Sequence, residues 1–291
     1  MPPLTIIKTL GHAKFLSHGL KLPTNAGWQQ PNGDAAGQYD RTILPEQKTA
    51  VPQLVPPFFL PQNPHKFHVE TCDRVGQIFK DLHDDGLDAV KFAHDMFRLS
   101  AGFANLKIMG PSAIGTPGCL KGPDLTPLIK TAPSLVSYIK PNAMAYKNAI
   151  ADGVGQCFKQ WQDMVTVPGL PWYPAFTMFP GPMAPPMPNV PVPLISCVSS
   201  GVMSITNPMM LAQAMESKLS PSVKAQDRDG QYKALFDAIA TSLSTALTLW
   251  LSSQMVQLVL GTGPIPTFAP PVVPGGPVVN GQNLPGVHLM A

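Results

Sequence analysis

The hydrophobic pattern of the chain is clearest in residues 231–291, which divide into two parts. The first part, QYKALFDAIATSLSTALTLWLSSQMVQLVLG, carries apolar residues at helical spacing and predicts one long helix. The second part, GPIPTFAPPVVPGGPVVNGQNLPGVHLMA, has Pro or Gly every few residues and cannot continue that helix. No Asp, Glu, Lys or Arg follows Asp237. We therefore expect this tail to pack on its own chain or on a neighbour.

An earlier stretch repeats this arrangement of a helix followed by a Pro/Gly-rich tail. Ala-Ile-Ala occurs at 149–151 and at 238–240, followed at equal distance by Trp161 and Trp250. The two apolar stripes at helical spacing are Ile150, Val154, Cys157, Phe158 and Trp161, and Ile239, Leu243, Ala246, Leu247 and Trp250. Each tail contains a Pro-x-Phe step, which ends at Phe176 in the first copy and at Phe268 in the second. The pattern predicts an internal duplication.

The opposite faces of the two predicted helices differ in chemistry. The first copy carries Asp152, Gln156, Lys159 and Asp163, which is typical of a solvated face. The second copy carries Thr241, Thr245, Thr248 and Ser252. Small hydroxyl side chains permit close helix approach and can bond the preceding turn. We expect the second helix to be covered on both faces, either inside a monomeric bundle or at a subunit contact in a ring or tube.

The whole pattern predicts a mainly α fold with extended Pro/Gly-rich arms and tails. The predicted regions are an extended N-terminal arm (1–66), a helical hairpin and loop region (67–141), the first helix with its Pro-rich tail and a linker (142–230), and the second helix with its tail (231–291). The hairpin is expected to turn at Asp84-Asp85-Gly86, and short helices are expected near 125–130 and 207–218.

Residues 168–193 form the densest proline tract and predict polyproline II conformation. One interpretation is a rigid strap packed over the helices, and the other is a PxxP ligand for an aromatic-lined groove. The interleaved aromatic residues, among them Trp172 and Phe176, favour the strap because they need burial themselves.

Composition narrows the functional classes. Only 13% of the 291 residues are charged, whereas 35 are Pro, 24 are Gly and 44% are hydrophobic, which is typical of extended segments packed on partners. The net charge of +3 is spread without a basic run, which argues against nucleic-acid binding. The four cysteines are far apart and are expected to be free thiols.

The chemistry-bearing residues do not assemble into a recognisable site. No phosphate loop, dinucleotide fingerprint, nucleophile elbow or zinc-protease motif is present. The candidates for metal binding are His65, His68, Cys72, His83, Asp84, Asp85, His94 and Asp95. His83 and His94 would lie about 16 Å apart on a helix, so one ion cannot bridge them. Four converging ligands are not visible. We therefore expect helix-surface histidines, with no metal, no cofactor and no catalytic residue.

The arm MPPLTIIKTLGHAKFLSHG, the two AIA…W helices and the tails FPGPMAPPMPNVPVPL and FAPPVVPGGPVVNG loosely resemble virion structural proteins of tailed bacteriophages and related contractile injection machines. The resemblance implies a non-enzymatic tail, baseplate or neck component of the virion, present in several copies and assembled in the host cytoplasm with other structural subunits. The expected interface residues are Trp250, Thr241, Thr245, Thr248, Ser252, Trp172, Phe176 and Phe268.

Two alternatives stay open. The first is a membrane-active oligomer, in which residues 238–260 span a bilayer and the Thr/Ser face lines a polar interior. The Thr, Ser and Gln residues of that stretch are costly where they face lipid. The second is an adaptor that presents residues 168–193 as a proline motif.

Overall fold

The computed structural model describes residues 4–18, 66–227, 230–271 and 275–289. The side chains of residues 66–74 and of Thr177 lie outside that description. The predicted extended arm over residues 1–66 is therefore tested mainly at its start. There, residues 8–18 form a helix where irregular chain was expected. The Pro- and Phe-rich stretch 51–64 lies outside the described residues.

Nine α-helices follow one another in the described part of the chain. They are α1 (Lys8–His18), α2 (Lys66–Arg98), α3 (Leu125–Lys130), α4 (Pro141–Asp163), α5 (Pro174–Thr177), α6 (Met203–Thr206), α7 (Pro208–Lys218), α8 (Pro221–Gln226) and α9 (Gln231–Ser253). Asp124 and Asn207 cap α3 and α7 by accepting hydrogen bonds from backbone N–H groups of the first turn. The short helices predicted near 125–130 and 207–218 are therefore confirmed.

Ten short strands complete the described elements. They are β1 (Gly102–Phe103), β2 (Lys107–Met109), β3 (Ser112–Gly115), β4 (Leu120–Lys121), β5 (Val167–Pro171), β6 (Met183–Pro188), β7 (Val192–Pro193), β8 (Met255–Val256), β9 (Leu260–Pro264) and β10 (Gly281–Asn283). Six of them form an antiparallel sheet in the order β5-β3-β2-β10-β9-β6, and β1–β4 and β7–β8 form two small antiparallel pairs.

The predicted mainly α fold is wrong. Helices account for 52% of the described chain, but strands account for 18%, so the architecture is mixed. The Pro/Gly-rich tails, which were expected to be extended packing segments without a ladder, supply β5, β6, β9 and β10 to one sheet. Their strands are short and contain Pro and Gly, which are depleted in ordinary strands, so the usual strand pattern is missing.

The six-stranded sheet curls until its two outer strands meet. Just beyond the ends of β5 and β6, Trp172 forms an antiparallel bridge with Asn189, and the Val190 N–H donates to the Pro171 carbonyl at 2.8 Å. The inner face is built from small residues, since a Cβ on Gly261 would meet the side chains of Ile108 and Trp172. The glycines thus let large side chains fill a narrow interior.

The proline tract at 168–193 is not polyproline II. It forms β5, α5, β6 and β7, and its aromatic side chains hold it to the rest of the chain. Trp172 and Phe176 are buried, and Trp172 Nε1 donates to the Met187 carbonyl at 3.1 Å. The expected burial is confirmed for Trp172 and Phe176, whereas Phe179 is partly buried and Tyr173 is 45% exposed. The conformation differs because neighbouring strands provide partners for the free backbone groups.

The predicted helical hairpin in residues 67–106 is also wrong, because α2 runs unbroken through Asp84-Asp85-Gly86. Each of these residues meets another element. Asp84 accepts hydrogen bonds from two histidines, and Asp85 accepts one from Tyr138 Oη at 2.7 Å. A Cβ on Gly86 would lie 3.3 Å from Ile150 Cδ1. Asp and Gly favour turns by local propensity, which is why the triplet predicts one. In the fold, the three residues remain helical and contact neighbouring elements.

Both segments of the predicted duplication are helical, residues 149–161 within α4 and residues 238–250 within α9. Trp161 and Trp250 are both buried, and their rings meet edge to face with centroids 5.6 Å apart. Each helix also packs on α6 and α7. The tails differ, since the first enters the sheet at the outer strand β5 and the second at β9, between β6 and β10. The likeness extends over the helices but not over the placement of the tails.

Buried polar side chains fix the uncharged tail after α9. Gln254 Nε2 donates to the Leu289 carbonyl at 2.9 Å, and Asn189 Oδ1 accepts from the Val259 N–H at 2.9 Å. Asn283 Oδ1 accepts from the Leu106 N–H, and His288 Nδ1 accepts from the Phe103 N–H at 2.8 Å. The tail therefore packs on its own chain, held by neutral hydrogen-bonding groups that satisfy buried backbone.

An aromatic cluster joins the three long helices. His94 of α2 lies edge to face against Trp250 of α9 at 4.4 Å and against Phe158 of α4 at 6.1 Å. The ring is fully buried, and neither of its nitrogens has a hydrogen-bond partner among the described residues. Burial lowers the pKa of His94 to about 3, with a smaller contribution from the positive charge of Arg98. Burial likewise lowers the pKa of His288 to about 4.

These two histidines predict acid-sensitive stability. Because their pKa values are lowered in the fold, the unfolded chain binds more protons as the pH falls from about 6.5 toward 4. Stability present above pH 6.5 is then lost by about 1.4 kcal/mol per pH unit for each proton. We expect His94→Leu to reduce the pH dependence of the unfolding free energy by the contribution of one proton. Urea unfolding at several pH values measures this change.

The matched control for this prediction is Phe97→Leu, because Phe97 belongs to the same cluster and carries no titratable group. This variant should lower stability at every pH and keep the wild-type slope. A His94→Leu variant with an unchanged slope would contradict the assignment.

Candidate functional site

Helix α1 packs against both α2 and α9 and brings residues from the start of the chain beside α2. Lys8 Nζ lies 2.8 Å from Asp88 Oδ2, and His12 Nε2 lies 2.7 Å from Asp84 Oδ1. One turn further on, Phe15 stacks on Phe79 with ring centroids 5.8 Å apart. Residue numbers rise along α1 as they fall along α2, so the two helices run antiparallel through this contact.

The most concentrated group of chemistry-bearing side chains lies in this contact. His12, His83 and Asp84 each offer one ligand atom, and the three atoms lie within 4.8 Å of one another. His83 Nδ1 is 2.8 Å from Asp84 Oδ1, the same oxygen that His12 Nε2 approaches. We call these three residues the His–Asp cluster. The His83 ring is buried, whereas the His12 and Asp84 side chains are about a quarter exposed.

The charges in the cluster are set by burial and by these contacts. Burial alone would raise the pKa of Asp84, but hydrogen bonds from His83 and His12 lower it below its usual value. Burial lowers the pKa of His83, against the hydrogen bond and negative charge of Asp84, which act in the opposite direction. At neutral pH the cluster therefore combines an ionised carboxylate with a neutral buried imidazole.

Close packing surrounds the other edge of the His83 ring. A Cβ on Gly11 of α1 would meet the His83 ring and would lie 2.7 Å from Ser242 Oγ of α9. Ser242 Oγ donates to the Ile7 carbonyl at 3.1 Å. Ser242, His83 and Asp84 are the residue types of a nucleophile, a base and an orienting acid. However, Ser242 and His83 are 1% and 2% exposed, so α1 covers them and a substrate cannot reach the hydroxyl.

The sequence prediction of helix-surface histidines does not hold for His83 and His94, which are both buried. His68 and Cys72 lie where side chains are not described. The residue that sequence analysis missed is His12, which is remote from His83 in sequence. A signal is present in retrospect, because Lys8 and His12 repeat at four-residue spacing opposite Asp84 and Asp88, which repeat at the same spacing.

The residues predicted at an interface fall into two groups. Trp250, Trp172 and Phe176 are buried within the chain, and Phe268 is partly buried against the same core. The hydroxyl residues of α9 lie at the surface or near it. Thr241 and Thr245 are half-buried and Thr248 and Ser252 are exposed, so α9 is not covered on both faces within the single chain.

The hydroxyls on this face bond as the sequence predicted. Each donates to a carbonyl one turn earlier, as Thr248 Oγ1 does to the Ser244 carbonyl at 2.7 Å. Of the described helices, α9 alone is long and apolar enough to cross a bilayer. However, 72% of its most apolar window is buried inside the fold, as in the core helix of a globular chain.

A separate feature is an open groove beside the charged face of α4. The groove has a volume of about 420 Å³ and is lined by Asp124, Thr126, Asp152, Gly155, Gln156, Lys159 and Lys218. Asp152 pairs with Lys130 at 2.6 Å, and Lys159 pairs with Asp163 at 2.6 Å. These surface ion pairs are those of a solvated helix face, as predicted for α4.

The close approach of α1 gives a testable prediction. Alanine favours a helix interior over glycine by about 1 kcal/mol, so Gly11→Ala would stabilise an open site. Because the added Cβ meets the His83 ring and Ser242 Oγ, we expect the reverse, a loss of about 1–3 kcal/mol in unfolding free energy. Amide hydrogen exchange across α1 should also quicken.

Thr9→Ala is the control, since Thr9 is an exposed position on the same helix. It should change stability by no more than about 0.5 kcal/mol. A Gly11→Ala variant that is more stable than the wild type would show that α1 does not pack closely on α2 and α9.

Comparison with known protein families, with curated proteins and with solved structures gave no significant match for this chain.

Proposed function

We propose that this protein is a non-enzymatic structural subunit of a large assembly and that it self-associates through a surface without charges. The observation that carries the proposal is the separation of charged and uncharged segments in the fold. The particle we propose is the tail, baseplate or neck of a tailed-phage virion, on the resemblance of the arm, helices and tails. Neighbouring genes for sheath, tube or baseplate proteins would test that assignment.

Two long segments of the chain contain no Asp, Glu, Lys or Arg, residues 164–215 and residues 238–291. In the fold they pack on one another. Strand β6 pairs with β9, β7 pairs with β8, and α9 packs on α6 and α7. The ion pairs of the described chain, such as Lys8–Asp88 and Lys130–Asp152, lie mainly on α1, α2, α3 and α4. The parts of the fold that these two segments build therefore contribute no Asp, Glu, Lys or Arg side chain to the surface.

Large apolar side chains from these segments remain exposed. We call them the charge-free surface, which consists of Met164, Tyr173, Met178, Met183, Ile195, Val198, Met203, Met209, Met210, Leu249, Leu258 and Leu260. Six of the twelve are methionine or leucine residues that are more than half exposed, for example Met209 at 62% and Leu249 at 52%. Depletion of charge with enrichment of methionine and aromatic residues is the compositional signature of interface cores.

The exposed strip of α9 lies within this surface. Thr248, Leu249 and Ser252 are exposed there, and the hydroxyls already bond their own helix. Such hydroxyls need no partner from a contacting subunit, so the strip can be covered without leaving unpaired polar groups. A surface of this composition on a freely soluble monomer would promote association.

The sheet offers a different kind of surface. Pro168 and Pro171 lie in β5 and Pro185, Pro186 and Pro188 lie in β6, the two outer strands. These prolines have no N–H to donate, and the strands approach each other where the sheet closes. Addition of a foreign strand at these edges is therefore disfavoured, and side-chain contacts are the better supported mode of assembly.

The contacts of the described residues favour neither the adaptor nor the membrane-active oligomer. The adaptor hypothesis needs a free proline ligand, whereas residues 168–193 are built into strands with Trp172 and Phe176 buried. The membrane hypothesis needs α9 to leave the core that it forms with α1, α6 and α7.

The test of the proposal is Thr248→Lys in the full chain. Thr248 is exposed, so a lysine there should change subunit stability by no more than about 0.5 kcal/mol. At a subunit contact the same lysine would be buried without a partner, which is strongly unfavourable. We expect sedimentation velocity to show oligomers for the wild type and a shift toward monomer for the variant, with equal Tm values when both proteins are diluted to monomer.

Two matched controls separate a contact effect from a general charge effect. Lys159→Thr changes the equivalent position on α4, and Ile139→Lys adds a charge at an apolar side chain that is 73% exposed outside the uncharged segments. Both should retain the wild-type oligomer size. A wild type that stays monomeric at high concentration, or a Thr248→Lys variant of wild-type size, would reject the contact.

A further inference from the structure

We propose that the His–Asp cluster, His12, His83 and Asp84, binds a divalent transition-metal ion of the zinc type and that the ion fastens α1 to α2. The inference is independent of the proposed assembly function. It rests on three ligand atoms that converge from two helices far apart in sequence.

The donor set fits this class of ion. Two imidazole nitrogens and one carboxylate oxygen are ligands that Zn²⁺ and its neighbours accept, whereas Ca²⁺ and Mg²⁺ prefer oxygen-only sites. Asp84 supplies a carboxylate oxygen, and ring nitrogens of His12 and His83 both face that oxygen. Lys8 of α1 lies close enough to act electrostatically on His83, and its charge is paired with Asp88 at 2.8 Å.

The distances also fit with a small adjustment. The ligand atoms of a tetrahedral zinc site lie roughly 3.3 Å apart, given metal–ligand bonds of about 2.0 Å. Here His12 Nε2 and His83 Nδ1 lie 2.7 Å and 2.8 Å from Asp84 Oδ1, so an ion needs the atoms to separate by about half an ångström. His12 and Asp84 are partly exposed and free to make that movement. Their exposure also leaves water access to the remaining coordination positions.

Binding requires a rearrangement of ring protons. The nitrogens that face Asp84, His83 Nδ1 and His12 Nε2, must present lone pairs, so each neutral ring carries its proton on the other nitrogen. For His83 that nitrogen is Nε2, which is buried and has no hydrogen-bond partner among the described residues. Ser242 Oγ borders the same point beside Gly11 and can accept a hydrogen bond from this N–H after a small shift.

The expected role is structural. The ligands join α1 to α2, and α1 in turn covers Ser242 of α9, so a bound ion would hold α1 over the helical body. Binding to the folded state alone raises apparent stability.

The experiment titrates the full-length, metal-free protein with Co²⁺ and with Zn²⁺. We expect Co²⁺ to give visible ligand-field absorption, Zn²⁺ to displace it, and Zn²⁺ to raise the Tm and slow amide exchange across α1. His12→Asn and Asp84→Asn should each weaken binding by more than about tenfold and remove the Zn²⁺ effect on α1. His12 is chosen because it is partly exposed and its replacement spares the core.

Two controls keep the assignment specific. His18→Asn removes a histidine of the same helix that lies 3.2 Å from Asp237, outside the cluster, and should bind like the wild type. The pair His68→Asn with Cys72→Ser removes two other candidate ligands, which stand at i,i+4 spacing on α2, and should also bind like the wild type. Metal-free exchange of α1 measured on His12→Asn checks that the helix still docks.

Absence of binding to the wild type would overturn the proposal. Binding that survives both His12→Asn and Asp84→Asn, or that is lost in the His68/Cys72 variant alone, would do the same, because it would place the ion elsewhere.

Discussion

The contact between Trp161 and Trp250 determines how the rest of the molecule is arranged. The two rings meet at the centre of an aromatic cluster that includes Phe97, Phe158 and His94, and this cluster joins α2, α4 and α9. Such rings bury large apolar area and prefer edge-to-face geometry, which fixes the relative rotation of the helices. A neutral histidine in the cluster ties this packing to pH, because protonation would place an unpaired charge in an apolar site.

From this centre the chain divides by charge. Helices α1 to α4 carry most of the ion pairs of the described residues. Residues 164–215 and 238–291 contain no Asp, Glu, Lys or Arg, and their only histidine is the buried His288. The uncharged segments would be poorly soluble as free tails. In the fold they supply β5, β6, β9 and β10 to the six-stranded sheet, so their backbone is paired. The buried Asn189 and Gln254 and the half-buried Asn283 bond backbone groups that the short strands leave unpaired.

The candidate metal site could not be predicted from the sequence, because its ligands come from two separate helices. Asp84 and His83 stand out as polar residues in a helical stretch, but their partner His12 comes from a helix whose composition predicts little amphipathicity. The matching four-residue spacings of Lys8/His12 and Asp84/Asp88 do not by themselves pair the two segments, since the pairing is made by the packing of Gly11 and Phe15 against α2 and α9. The same cause explains the wrong hairpin at Asp84-Asp85-Gly86, where residues that satisfy partners from other elements look locally like a turn.

The sequence by itself determined the long helices α4 and α9 with their equivalent buried tryptophans, the short helices α3 and α7, and the packing of the uncharged tail. These follow from periodicity and from the cost of leaving apolar chain in water. Only the tertiary structure decided that the proline tracts are strands, that α2 is unbroken and that His12 meets His83. Each of these depends on hydrogen bonds and contacts between residues far apart in the chain, which local preference does not encode.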